Sequence, residues 1–160
     1  MRSSAMLIPA LIVALSLAVP AHAASKSQAT EENLEASVIE LGAEAKAQVL
    51  EALEALPYWI PLYPGAKANM TSAAQKTPDS VTVLVSFDTT ETPDKITAFY
   101  AEQLARAKLG DVEKTAGAEV SNLYLESRDA NETCDITITA GEGSQPGNVS
   151  INYYHSNTKQ

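Results

Sequence analysis

The chain has 160 residues, 45% of them hydrophobic and 19% charged, with 20 Asp and Glu against 11 Lys and Arg for a net charge of −9. That length holds one domain with a respectable apolar core and leaves no room for a second, and the acidic balance excludes nucleic acid and anionic membrane surfaces as partners. The single cysteine, Cys134, rules out an internal disulfide, so the fold must rest on packing alone.

At the N-terminus, Arg2 precedes an apolar run from Met6 to Val19, and Pro20 leads into the small-residue exit Ala21-His22-Ala23. This pattern predicts a cleavable signal peptide over residues 1–23. The run is shorter than the roughly 20 apolar residues that span a bilayer. Neither a cysteine at the cut nor a pair of arginines marks lipid attachment or folded export. The expectation is a periplasmic or secreted mature chain starting at Ala24, one unit more acidic after the loss of Arg2. Residues 24–30, small and polar, read as a disordered leader.

The next predicted element is a long N-terminal amphipathic helix over 31–56. Thr30 can cap it, and Glu31 and Glu32 favour its positive end. Leu34, Val38, Leu41, Ala45, Val49, Leu53 and Leu56 recur at steps of three and four, with Glu40, Glu44, Glu51 and Glu54 opposite. Pro57 ends it. At roughly 1.5 Å per residue such a helix measures close to 40 Å, more than one small sheet face requires. Ile39 and Leu50 widen its stripe beyond a coiled-coil seam, so Leu41 and Val49 become candidate contacts to a partner or a second copy.

The α+β domain is expected over 57–160. Its opening segment, Pro57 to Ala66, holds three prolines and three aromatics, which predicts extended chain closed by a Pro-Gly turn. A polar connector follows from Asn69 to Ser80. Val81, Val83, Val85 and Phe87 then alternate with polar or flanking residues, the signature of a strand. Thr92-Pro93 opens a second helix whose inner face is Ile96, Phe99, Tyr100, Leu104 and Ala107, with Gly110 as its exit. Three strands near 120–127, 134–140 and 149–155 complete the chain, the last two as a hairpin. Short connections imply a two-layer, largely antiparallel four-stranded sheet with helices on one face.

The run Pro61-Leu62-Tyr63-Pro64-Gly65-Ala66, followed by Phe87-Asp-Thr-Thr, Thr92-Pro93-Asp94 and Phe99-Tyr100, resembles small exported bacterial α+β domains of unassigned function that carry a Pro-x-Tyr-Pro-Gly-Ala … Phe-Tyr pattern. The resemblance spans Pro57 to about Tyr154. It implies the same element order and an envelope setting, and it supplies no catalytic residues.

Candidate chemistry is sparse. His155, the one histidine beyond the leader, must serve any Ser-His or Cys-His mechanism, yet it stands near the C-terminus, where pre-organisation is poor. Cys134 alternates with Ile136 and Ile138 and reads as a buried, inert thiol. Asp129, Asn131 and Asp135 suggest a calcium loop, but Cys134 and Ala140 occupy the positions where glycine and glutamate are needed. Asp88, Glu91 and Asp94 are explained by the second helix start. Asn69, Asn131 and Asn148 each begin an N-x-Ser/Thr sequon, which matters only in a eukaryotic secretory route. Thr82, Ser86, Thr137, Thr139, Ser150 and Asn152 face outward as short polar groups, and a solvated face accounts for them.

The aromatic–proline segment carries the largest functional signal. Tyr58, Trp59 and Tyr63 offer rigid flat faces for peptides or sugars, or they fill the junction between helix and sheet. These residues, with Leu41 and Val49, are the candidate binding set. The expected function is a non-catalytic exported binding or adaptor protein of the cell envelope, without metal or cofactor, acting on an envelope protein or on itself through the N-terminal helix. The rival is a small-ligand or carbohydrate-binding domain, or a weak hydrolase.

Overall fold

The computed structural model describes residues 41–158. The expected signal peptide, the expected leader and the first part of the expected helix, through residue 40, lie outside the described residues. Two helices, α1 (Ala43–Ala55) and α2 (Pro93–Ala107), accompany strands β1 (Ala73–Lys76), β2 (Ser80–Thr89), β3 (Val112–Ala116), β4 (Val120–Glu126), β5 (Glu132–Thr139) and β6 (Gly147–Ser156). All strand pairs are antiparallel, in the order β1-β2-β6-β5-β4-β3. The α+β class and the closing β5–β6 hairpin agree with the alternation read from the sequence.

The core follows from that alternation. Val85, Ile151, Ile136 and Leu123 stand in one row across β2, β6, β5 and β4. Phe87, Val149 and Ile138 form the next. These side chains are essentially unexposed, and Val49 and Ala52 of α1 and Ile96, Tyr100 and Leu104 of α2 close over them. Each such aliphatic side chain contributes roughly 1.5–3 kcal/mol by leaving water. Both helices therefore occupy one face of the sheet.

Two expectations are corrected. The sheet has six strands rather than four, because β1 and β3 join as its two edges. Three of four residues in β1 and four of five in β3 are exposed. An edge strand need not bury an alternating face, so neither carries the period-two signal. The run expected from 31 to 56 is interrupted within the described residues: α1 begins after Gly42, whose ψ of 155° is extended and which has no side chain to cap it. Glycine costs a helix interior roughly 1 kcal/mol, and here it marks a boundary. The described helix is about 20 Å long, a length that fits the sheet beneath it.

The exit of α2 is displaced as well. Lys108, with φ 57°, takes the left-handed position after Ala107. Gly110 instead lies so close to β4 that a Cβ there would collide with the Glu126 carbonyl. Among the described residues, no helix is long and apolar enough to cross a membrane.

Candidate functional site

The opposite face of the same sheet is built from the alternate residues. Ser86, Ser150, Thr137, Asn122 and Thr115 form one row across it. Leu84, Asn152, Asp135, Tyr124 and Glu113 form the next, and Thr82, Tyr154, Thr133 and Glu126 a third. Outward polar positions expected from the sequence, Thr82, Ser86, Thr137, Thr139, Ser150 and Asn152, all lie on this side. Among the described residues no helix packs against it, since α1 and α2 both join the core on the other face.

Local hydrogen bonds fix one end of this surface. Ser72 Oγ accepts the Ser86 N–H at 3.0 Å, and Asn148 Nδ2 donates to Ser86 Oγ at 3.2 Å and to Asp88 Oδ1 at 2.9 Å. At the other end, Tyr124 stands directly between Glu113 and Asp135, and its hydroxyl donates to Glu126 Oε2 at 3.4 Å. Its phenol is pushed upward from the ordinary tyrosine value, first by desolvation and then by the charges of Glu126, Glu113 and Asp135. Beside it on β4, Asn122 Oδ1 is shielded from solvent and accepts no hydrogen bond. Tyr124 faces outward because it alternates with the buried Leu123 and Leu125, and the register of β3 and β5 brings its carboxylate neighbours to it.

The five candidate binding residues do not form one surface. Tyr58 is 93% exposed. Trp59 packs edge-on against Tyr153, with centroids 5.8 Å apart, and Tyr63 packs edge-on against Phe99 at 5.1 Å. Ile60, between them, is buried. The segment is tied down locally, with the Ile60 N–H on the Pro57 carbonyl and the Ala66 N–H on that of Tyr63, around Gly65 at φ 79°. Two of its three rings thus serve helix–sheet packing and one is free. Val49 is wholly buried against the chain's own sheet, and Leu41, partly exposed, packs on the edge of the same core.

Three residues with catalytic potential are each tied to their neighbours. Burial, with the Asp135 charge behind it, pushes the Cys134 thiol up to about 12, which keeps it protonated and poorly nucleophilic. His155 Nδ1 lies 3.5 Å from Glu132 Oε1, an oxygen that already accepts the Tyr153 hydroxyl at 2.6 Å. The Asp129 carboxylate accepts Ser127 Oγ at 2.7 Å and the Asn131 N–H at 3.3 Å, bonds that lower its pKa and shape a turn through Ala130 at φ 54°. Among the described residues no three His, Cys, Asp or Glu side chains converge as a metal site. An open groove of about 360 Å³, which sequence reasoning missed, runs between Tyr63–Ala66, Asp88–Glu91 and Pro146. Its acids are already engaged: Glu91 accepts Lys95 Nζ at 2.8 Å, and Asp88 holds Asn148.

No family model, curated protein or solved structure matches the chain.

Proposed function

We propose that the chain is an exported, non-catalytic binding or adaptor domain of the cell envelope, and that its interaction surface is the uncovered face of the sheet. One observation carries this reading: six strands expose a broad polar face while the whole core and both helices occupy the other side. Export rests on the Arg2-to-Ala23 leader pattern, and the envelope setting on that leader together with the Tyr-Pro-Gly-Ala resemblance. With Val49 and Leu41 engaged in the chain's own core, the first helix is a weaker partner surface than its stripe implied. The exposed Tyr58 ring adds a separate apolar contact.

The test is site-specific photo-crosslinking in the native cells. A crosslinker at Thr137 on the sheet face is expected to yield a discrete protein adduct, and one at Glu102 on α2 is expected to yield none. Adducts from Glu102 alone would move the interaction to the helical layer and defeat the reading.

A second reading, a carbohydrate or small-ligand site, is favoured by the groove between Tyr63 and Glu91, where proline and tyrosine surfaces adjoin hydroxyls and carboxylates. Amide NMR shifts at Gly65, Thr89 and Thr90 with added glycan would support it. Amides there that stay unmoved by glycans would remove it.

A further inference from the structure

We propose that the uncovered sheet face docks a basic, extended segment of another protein, seating lysine or arginine side chains on Tyr124 between Glu113, Glu126 and Asp135. This inference rests on the reading of that face as the interaction surface and names the chemistry of its partner.

The argument starts from where the charges stand. Among the described residues no strand carries Lys or Arg at an outward position, whereas Asp88, Glu113, Glu126 and Asp135 all point that way. The two strand lysines share the register of the core face: Lys76 pairs with Glu51 of α1 at 3.3 Å, and Lys114 stands opposite Leu123. The cation bordering the patch is Arg128, in the turn after β4, where it shares a groove of about 280 Å³ with Asp111, Glu113, Tyr124 and Glu126. Three carboxylates against one guanidinium leave that groove with an unmet demand for positive charge.

The aromatic groups supply the second half. A cation is drawn to a tyrosine face, and flanking carboxylates strengthen the attraction. Tyr124 lies in one row with Glu113 and Asp135 on its two neighbouring strands. Tyr154, 40% exposed, lies two strands away on the same face, roughly 10 Å across the sheet at the usual strand spacing. An extended segment crossing β4, β5 and β6 would meet Tyr124, Asp135 and Tyr154 in turn. The same side chains repel phosphate and acidic peptides.

The test is an NMR titration of the mature protein with an unstructured peptide of alternating arginine and serine, and with a glutamate–serine control. Amide shifts are expected to concentrate on β4, β5 and β6, with no response to the control. Tyr124→Ala and Asp135→Asn should each weaken the arginine peptide about tenfold, Tyr124→Phe should retain it, and added salt should weaken it progressively. Glu102→Gln, the same charge change on α2, should leave affinity unaltered. Absence of binding, or equal weakening by Glu102→Gln, overturns the inference. Crosslinks from Thr137 that persist in that event would leave the binding surface standing with a partner of other chemistry, whereas their loss would remove both.

Discussion

The two faces of the sheet are made by the same six strands and differ in almost every physical respect. Along β5, Cys134, Ile136 and Ile138 are buried, while Asp135, Thr137 and Thr139 alternate with them on the open side. One face is closed by two helices and sets stability. The other is held by those strands and is free to vary in chemistry at little cost to the fold, which is what an interaction surface requires.

The sharpest way to break this contrast is a pair of adjacent substitutions. Ile136→Ala should destabilise the domain by about 2–5 kcal/mol, because its cavity has apolar neighbours on every side. Thr137→Ala should cost less than about 0.5 kcal/mol. Equal losses in chemical denaturation would mean that the outer face is also covered.

Gly110→Ala should come next, at about 1–3 kcal/mol, because the added methyl must push back the Glu126 backbone at the edge of β4. A neutral outcome in the same assay would show that this edge yields freely.

Alkaline pH sharpens the comparison through the inner face, where burial raises three ionisable groups. Cys134 is raised from 9.0 to about 12, and burial likewise raises Tyr100 and Tyr153. A raised folded pKa means stability that is full below the unfolded value and is lost as pH climbs through the folded one. Thermal stability should therefore fall as pH rises from about 9 toward 12, and Cys134 should resist alkylation at pH 8 until the chain unfolds. Rapid alkylation of the native protein would contradict the burial.

The smallest effect belongs to the exposed Lys76–Glu51 pair, which joins β1 to α1 at 3.3 Å with both side chains about half exposed. Lys76→Ala should change stability by less than about 1 kcal/mol, a difference that high salt should erase.

Much of the inner face was legible in the sequence. Val81 to Phe87, the Thr92-Pro93 helix start and the Cys134–Ile138 alternation state their periods plainly, because burial imposes them. The edges were not, since Ala73–Lys76 and Val112–Ala116 bury almost nothing and leave no pattern. Gly42 was hidden inside an amphipathic stripe that reads through it. The site was harder still. Alternation places Tyr124 outward, but only strand register sets Glu113 and Asp135 on its two sides, and register between distant segments is not written in local periodicity. Trp59 and Tyr63 could be read as surface or as packing, because aromatic residues among prolines have the same composition in either case.

The most direct measurement is hydroxyl-radical footprinting of the protein in its native cells against the purified protein. The account predicts that Tyr124 and Tyr154 label readily in the purified protein and are protected in cells, while exposed residues of α2 such as Glu102 label equally in both. Equal labelling of Tyr124 and Tyr154 in the two settings would contradict the assignment of the open sheet face as the surface through which this protein works.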